Sequence, residues 1–267
     1  MNRTQHRAPR TQNLSKVVRL SVNVNKVATL RNSRGGRAPS VVDAVQVSME
    51  AGAPGITVHP RADRRHITPG DVRDVARVLS GRRPKIEFNI EGDPRAELID
   101  LVHEVRPDQC TLVPVVPGEV TSQAGWQPGP TTNRLPDIVA ELRSRGIRVS
   151  LFVDASPGPV RWAASSGADR VELYTEPFAR AFEQGAEAAR RSFDLFADAA
   201  SLAHELGLGV NAGHDLDLDN LVIFRGLPHL DEVSIGHAIM SRALFVGLKT
   251  VIGEYLDVLA AAAGLRE

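Results

Sequence analysis

The sequence predicts an α/β protein built as a (β/α)8 (TIM) barrel. Eight short runs rich in β-branched residues recur along the 267-residue chain, helix-length segments separate them, and most runs close on a polar residue or glycine. Strands that alternate with helices in a chain of this length favour one parallel barrel, whose active sites lie at the C-terminal ends of the strands. The predicted strands are 18–25, 55–60, 85–91, 109–114, 148–154, 170–175, 209–214 and 232–237.

Polar and apolar residues alternate within several of these runs. In the first run Val22 and Val24 share one face, and the opposite face carries Ser21, Asn23 and Asn25. Because burying ionised side chains beneath helices costs several kcal/mol each, the polar face must look into the barrel. The other polar residues predicted to face inward are Glu87, Asn89, Glu91, Glu172, Tyr174 and Ser234.

Apolar residues at helical spacing predict helices between the strands, and glycines follow several of them at the expected C-terminus. Two connecting segments differ from this pattern. Residues 115–134 are too rich in glycine and proline for a helix and predict a functional loop. Residues 176–186 predict a lid or an oligomer contact. The predicted helices cover residues 41–52, 71–80, 94–105, 135–146, 159–167 and 190–207.

The charge balance excludes some classes of protein. Lys and Arg total 32 and Asp and Glu total 32, and this zero net charge argues against a general nucleic-acid or membrane-surface protein. Only basic charges precede Asp43, so we expect residues 1–16 to be a disordered basic extension and residues 17–267 a single catalytic barrel domain. No run approaches the roughly 20 apolar residues of a membrane span. The lone Cys110 indicates a reducing compartment.

The predicted strand ends gather ionisable side chains around one rim. The loop after the second strand places His59, Arg61, Arg64, Arg65 and His66 within eight positions. Arginine clusters bind phosphate in bidentate fashion, and histidines exchange protons near neutral pH. At the catalytic face of a barrel this pattern favours a functional loop over a solvated charged one. The strand-end residues expected at the rim are Asn25, His59, Glu91, Asp154, His214 and His237.

His59 and Glu87 are both predicted to face the barrel from neighbouring strands, close enough to couple. Burial raises the pKa of a carboxyl group and makes it a usable general base. The alternative is a structural hydrogen bond that satisfies two buried polar groups.

Two glycine turns and one basic loop predict anion binding. Gly213 and Gly236 lie in the turns at the ends of the seventh and eighth strands, where barrels of this kind often hold phosphate through backbone N–H groups. Residues 25–37 contain a Gly-Gly pair and four cations after the first strand, and three of the cations are assigned to anion binding. These features indicate two phosphorylated substrates or one bisphosphate. Because the histidines are spread over different strands among basic residues, we expect chemistry without a metal. The three cations are Lys26, Arg31 and Arg34.

Several phrases together resemble the pyridoxine 5′-phosphate synthase family. They are NVNKVATLRNSRGG, GITVHPRADRRHIT, TLVP followed by EVTS and GW, VSLFVD, VNAGH and SIGHAI, within residues 18 to about 255. The resemblance implies a cytoplasmic (β/α)8 barrel that assembles into homo-octamers and uses neither metal nor organic cofactor. It also implies a transferase-type condensation of 3-amino-1-hydroxyacetone 1-phosphate with 1-deoxy-D-xylulose 5-phosphate, which gives pyridoxine 5′-phosphate, phosphate and water.

The resemblance further implies residue roles. His59 and Glu87 would accept protons, and His214 would donate one. Glu172 would stabilise a charged intermediate. The residues implied for the amino-ketone phosphate are Asn23, Asp215, Gly236 and His237, and those for the deoxyxylulose phosphate are Asn25, Lys26, Arg34, Arg61, His66 and Thr121.

Three positions depart from the family pattern. Asn25 and Lys26 stand where many members have Asp-His, and Asp215 stands where they have glycine. Lys26 can replace a histidine as a phosphate or hydroxyl partner, and Asp215 still offers its backbone N–H. The departures concern the orientation of the substrates more than the class of reaction.

Two other functions fit part of the sequence. One is a sugar-phosphate aldolase in which Lys26 forms a Schiff base with the substrate carbonyl. The other is a non-catalytic barrel that binds a phosphosugar and signals through its basic arm. Such a binding protein has no use for Glu87, Glu172 and three rim histidines together.

Overall fold

The computed structural model describes residues 17–116, 118 and 122–261. Eight parallel strands close into a barrel in chain order, with β1 paired to both β2 and β8, and helices lie between the strands. This confirms the predicted (β/α)8 fold; the predicted disordered extension, residues 1–16, lies outside the described residues. The strands are β1 (Arg19–Asn23), β2 (Gly55–Val58), β3 (Glu87–Gly92), β4 (Gln109–Leu112), β5 (Arg148–Val153), β6 (Arg170–Tyr174), β7 (Gly209–Gly213) and β8 (Leu230–Ile235).

Each of the six predicted helices corresponds to an observed helix, and the described residues form five further helices. Residues 25–37 were expected to form an anion-binding loop, but their first part is helix α1. The 176–186 segment is largely helix α7. The helices are α1 (Asn25–Asn32), α2 (Val41–Glu50), α3 (Pro69–Leu79), α4 (Ala96–Val105), α5 (Leu135–Ser144), α6 (Pro157–Ser165), α7 (Glu176–Glu183), α8 (Ala186–Glu205), α9 (Leu218–Phe224), α10 (His237–Val246) and α11 (Leu248–Ala260).

The inside of the barrel is polar, as the alternation predicted. Ser21 and Thr57 share a 2.6 Å hydrogen bond, Asn89 donates to Thr57 Oγ1 at 3.3 Å, and Thr111 donates to Asn89 at 3.1 Å. Glu172 lies inside as well, with 2% of its surface exposed. Since each buried polar atom needs a partner, these cross-strand hydrogen bonds stabilise the polar interior. Most barrels of this fold are filled by aliphatic side chains instead.

The apolar faces of the strands pack beneath the helices. Val22, Phe88, Ile90, Leu173 and Val233 are fully buried and belong to one continuous core with the inner faces of the helices. Burial of each such side chain stabilises the fold by roughly 1.5–3 kcal/mol. Most of the hydrophobic stabilisation of the barrel therefore comes from the layer between strands and helices. The inward-facing positions are left available for polar residues of the active site.

Local sequence signals define the ends of several helices. The Ser40 hydroxyl accepts the Asp43 N–H at the start of α2, and Thr68 and Asp71 form a capping box at the start of α3. The glycines predicted after helices adopt left-handed backbone angles, which glycine tolerates without a steric cost. Their φ values are 94° at Gly52, 76° at Gly146, 78° at Gly167 and 80° at Gly207.

The described part of the 115–134 segment contains no α-helix, in agreement with the prediction, and has one 3-10 turn, Pro130–Thr132. It folds over the end of β5, where Gly125 N–H donates to Asp154 Oδ1 at 2.8 Å. A Cβ at Gly125 would lie 2.4 Å from the backbone of Val153, so only glycine fits there. Asp154, expected at the rim, thus holds this loop. Among the described helices none is long and apolar enough to cross a membrane.

Candidate active site

The C-terminal ends of the strands bring the predicted histidines together. His59 follows β2 and His214 follows β7, and His214 is close enough to contribute to the lowered pKa of His59 across the mouth of the barrel. The rings of His59 and His66 meet edge to face, with centroids 5.9 Å apart. The rim predicted from the sequence therefore exists, and it concentrates imidazole groups in one place.

His59 is held in a neutral state. Its backbone N–H donates to Asn25 Oδ1 at 2.8 Å, and its Nδ1 lies 3.9 Å from Glu91 Oε2. Burial and the neighbouring His66 and Arg61 lower the pKa of His59 well below its usual value. Its Nε2 is buried without a hydrogen-bond partner among the described residues. A neutral imidazole with one available nitrogen is suited to accept a proton near pH 7.

Glu91 is the acid group nearest His59. Asn23 Nδ2 lies 3.3 Å from Glu91 Oε2, and Ser234 Oγ lies 3.5 Å from its other oxygen. Burial, more than the nearby Glu232, raises the pKa of Glu91 to about 8. Glu91 therefore carries a proton at neutral pH. The sequence placed it at the rim but gave it no role; its position at the end of β3, next to His59, was the signal.

Glu87 lies at the opposite end of the barrel. It is the first residue of β3, four residues and about 13 Å below Glu91 along the strand. Glu87 Oε1 lies 2.5 Å from Arg148, and Glu87 Oε2 lies 3.9 Å from Arg19. The predicted direct pair of His59 and Glu87 is therefore wrong. Side-chain alternation put both on the inner face, as observed, but it does not give the height along the barrel axis.

Glu172 occupies the middle of the lumen beneath the mouth. Burial, and then the charge of Glu91, raises its pKa well above the usual value. A Cβ at Gly213 would lie 2.6 Å from Glu172 Oε1, so this glycine makes room for the carboxyl group. Glu172 is thus a protonated acid inside the barrel, on the strand next to the one that ends at His214.

His214 is fixed by an uncommon backbone and by aromatic neighbours. Its φ is 85° and that of Asp215 is 58°, both in the left-handed region. Such angles cost roughly 1–3 kcal/mol each and often mark functional sites. The His214 ring lies 4.7 Å from Phe152 and 5.4 Å from Tyr174 between centroids, and burial lowers its pKa. Its Nδ1 is buried with no hydrogen bond to any described residue.

Cations flank the histidines on the β2 side of the mouth. Arg61 is 5% exposed, although it is a guanidinium, and its Nε lies 3.5 Å from Asp63. Burial lowers the pKa of His66 to about 4, and the charges of Arg61 and then Lys26 contribute. Arg61, Lys26 and His66 are therefore neighbours, as expected for an anion-binding region.

The two other cations predicted for this site, Arg31 and Arg34, differ in their surroundings. Arg31 forms a paired ion bridge with Asp71, with N to O distances of 2.5 and 2.9 Å, which ties α1 to α3. It is therefore a structural residue, and its predicted part in anion binding is wrong. Arg34 is exposed in the turn after α1.

The turn after β8 presents a helix N-terminus to the mouth. Gly236 precedes α10, and a Cβ there would lie 3.0 Å from the backbone oxygen of Asn23. His237 is the first residue of α10 and is exposed, with Nε2 3.4 Å from Ser241 Oγ. These residues offer N–H groups to an anion. Thr121, also predicted to bind substrate, lies outside the described residues.

Fold and rim together define a (β/α)8-barrel protein with an acid–base site at the C-terminal ends of its strands. Solved barrels share the fold. A 4-hydroxy-2-oxoglutarate aldolase/2-deydro-3-deoxyphosphogluconate aldolase superposes with a TM-score of 0.60 at 14% identity, over 92% of this chain and 96% of that one. The phosphoribosyl anthranilate isomerase of Thermotoga maritima gives 0.59 at 12% identity, over 91% and 98%. At these identities only the fold is shared.

Sequence comparison defines the family. The profile of the family described as "Pyridoxal phosphate biosynthesis protein PdxJ" matches residues 20–261. Proteins named pyridoxine 5′-phosphate synthase are 49% identical in Christiangramia forsetii and 50% identical in Bacteroides thetaiotaomicron, each over 91% of this chain and 100% of the relative. The relative from Leptospira biflexa is 48% identical over 91% and 98%. The chain belongs to the pyridoxine 5′-phosphate synthase family, an enzyme family, which confirms the resemblance of its motifs.

Proposed function

We propose that this protein condenses 3-amino-1-hydroxyacetone 1-phosphate with 1-deoxy-D-xylulose 5-phosphate to form pyridoxine 5′-phosphate, phosphate and water. Family membership supports the reaction. One observation of the structure carries the assignment most directly: two neutral histidines and a protonated carboxyl group meet at one cation-flanked mouth. Imine formation, phosphate elimination, ring closure and dehydration each need a proton moved beside a developing charge.

Proton transfers at the mouth follow from the protonation states. His59 accepts a proton at Nε2, since burial keeps the ring neutral. Once His59 is protonated, Glu91, which holds a proton and lies 3.9 Å from His59 Nδ1, gives that proton to a substrate oxygen, and its carboxylate then balances the imidazolium charge. His214 faces the same space from β7 and donates to the leaving oxygen after it has taken a proton from the substrate.

Glu172 stabilises the positive charge that develops on the imine nitrogen of the substrate. A cationic imine above a buried carboxyl group favours loss of the carboxyl proton, because the two opposite charges stabilise each other in a medium of low polarity. Glu172 thereby supplies a proton and a counter-charge in one step. This is the role that we assign to it in the ring-forming stage.

Glu87 takes part only through other groups. Burial, and then the charges of Glu87 and Glu172, raise the pKa of Glu232. Burial, and then the charge of Glu91, raise the pKa of Glu172. This column of four carboxyl groups links the base of the barrel to the mouth. We assign Glu87 an electrostatic role: its carboxylate, paired with Arg148 and Arg19, acts on the other carboxyl groups of the column and not on the substrate.

Two groups of residues would hold the substrates. Lys26, Arg61 and His66 form a cationic neighbourhood, and we assign it, with Asn25, Arg34 and Thr121, to the deoxyxylulose phosphate. The N-terminus of α10 with Gly236 and His237 is assigned, with Asn23 and the backbone of Asp215, to the amino-ketone phosphate. Holding both phosphates orients the reacting carbons and lowers the entropic part of the barrier.

The direct test is to incubate the purified protein with both substrates and to measure pyridoxine 5′-phosphate and released phosphate. We expect equal amounts of the two products. Tight binding of the substrates without either product would instead support the non-catalytic barrel. Borohydride treatment in the presence of substrate tests the aldolase, because a mass increase at Lys26 reveals a Schiff base. Lys26 is exposed, which does not favour that chemistry.

The remaining properties are proposed from the family and the surface. We expect the reaction to survive treatment with a metal chelator, since the cations around the mouth repel a divalent metal. We expect a cytoplasmic homo-octamer. Leu244, Phe245 and Val246 support self-association, since they form the apolar last turn of α10 and are 71%, 87% and 41% exposed. Light scattering that shows only a monomer would contradict the proposed octamer.

A further inference from the structure

The base of the barrel contains a cavity of about 580 Å³, at the end opposite to the mouth. Arg19, Arg148 and Arg170 reach it from the first positions of β1, β5 and β6. Arg83, Arg106 and Arg145 reach it from the surrounding loops. The carboxylates in its lining are Glu87 and Asp108, so six arginines against two acids give a formal charge of +4.

The local acids do not cancel this charge. Asp108 is engaged by Arg83, with N to O distances of 2.7 and 3.1 Å. Glu87 is shared between Arg148 and Arg19. Burial raises the pKa of the adjacent Glu232 to about 8, so at neutral pH this side chain is mostly uncharged. The lining residues of the cavity therefore keep an excess of arginine over carboxylate charge at pH 7.

Two of the arginines are placed at the cavity edge without a strong ion pair. Arg145 is half-exposed and lies 3.9 Å from Glu141 of its own helix. Arg106 ends α4 with a left-handed φ of 49°, an angle that the chain gives to glycine after several other helices. Arg83 donates a 2.5 Å hydrogen bond to the Arg106 carbonyl and holds this conformation. The backbone thus keeps an arginine where glycine would be less strained.

We propose that this basal cavity binds a compact polyanion with two or more phosphoryl or carboxylate groups. Planar guanidinium groups bind such oxyanions in bidentate fashion, and Arg106 and Arg145 can turn onto a ligand without breaking a buried ion pair. A charge of about −3 to −4 would match the excess of the lining. The site lies apart from the mouth, and its existence does not depend on the reaction proposed there.

Protection from chemical modification tests the site. The full-length protein is treated with phenylglyoxal, which modifies arginine, with and without inorganic pyrophosphate, and the modified peptides are measured by mass spectrometry. We expect pyrophosphate to slow modification of Arg106 and Arg145 about fivefold or more. Arg161 and Arg190, exposed on α6 and α8, serve as internal controls and should react equally in both samples. Protection confined to Arg61 and the other mouth residues would overturn the proposal.

Binding to variants gives a second measurement. In calorimetric titrations at low salt, we expect R106Q/R145Q to weaken basal pyrophosphate binding about tenfold or more, while R161Q/R190Q leaves it unchanged. Equal affinity in the two double variants would refute the site. A parallel titration with citrate distinguishes the ligand class, since tighter binding of pyrophosphate indicates phosphoryl groups and tighter binding of citrate indicates carboxylates. Retained thermal melting shows that the variants are folded.

Discussion

The two ends of the barrel treat the same kinds of side chain in opposite ways. Glu87 and Glu91 point inward from one strand, yet Glu87 meets two arginines and Glu91 meets a histidine, an asparagine and a serine. At the base, the carboxylates of Glu87 and Asp108 are paired with arginines and partly open to solvent. At the mouth, burial keeps His59 neutral and Glu91 protonated.

This difference separates carboxylates that keep a fixed charge from acids that exchange protons. A paired carboxylate resists a change in protonation, because losing the pair costs free energy. A buried acid with a pKa near the working pH changes protonation easily. The barrel thus places its fixed charges at the base and its movable protons at the mouth, where the loops and helix ends also offer anion sites.

The largest expected effect comes from the rim histidines. We expect His59→Asn and His214→Asn each to lower turnover by about 100-fold or more with an unchanged melting temperature, since each variant removes a proton-transfer group. His204→Asn, in an exposed histidine at the end of α8, is the matched control and should keep full activity. Near-wild-type turnover in both rim variants would place the chemistry elsewhere.

A smaller effect with a sharper signature is expected for Glu91→Gln. Turnover should fall roughly tenfold or more, and the wild-type loss of activity as pH rises through about 8 should disappear, because the group that loses its proton there is gone. Glu232→Gln is the control, since Glu232 also has a pKa raised to about 8 but lies lower in the barrel. If Glu232→Gln removed the alkaline limb and Glu91→Gln kept it, the assignment would be reversed.

Glu87→Gln tests whether the base matters to the mouth. We expect a decrease in turnover of about tenfold at most, with KM for both substrates unchanged, because Glu87 acts through intervening carboxyl groups and touches neither phosphate site. Comparison with Glu91→Gln decides the point. A loss larger than that of Glu91→Gln would show that the base, and not the mouth, controls proton transfer.

The smallest expected effect concerns stability against pH. The fold raises the pKa of Glu232 from 4.5 to about 8, so the protonated form is favoured in the folded state. The stability linked to this proton is complete below pH 4.5 and is lost as pH rises through 8. Between pH 6 and 9 the melting temperature of Glu232→Gln should therefore fall less than that of the wild type, by about 5 °C. Glu183→Gln, an exposed control, should follow the wild type.

Several features could be predicted because they depend on local pattern. The alternation of Ser21, Val22 and Asn23 predicted which face looks inward, and glycines such as Gly52 and Gly207 marked helix ends. The position of His59 and His214 at strand ends predicted the rim. Each of these properties depends on residues within a few positions of one another.

Other features depend on residues distant in sequence. Arg31 belongs to a basic loop by sequence but pairs with Asp71, forty positions away. The partner of His59 is Glu91, because β2 and β3 pair Val58 with Ile90. The first of these contacts needs the packing of α1 on α3, and the second needs strand register.

The sequence by itself determined the number and order of strands, the polar lumen and the set of ionisable residues that face it, because hydrophobic periodicity specifies faces. Only the tertiary structure decided which inward glutamate stands at the mouth and which at the base, and which of these groups carry a proton. Height along the axis is set by strand register, and protonation is set by burial and by neighbours that come from other strands.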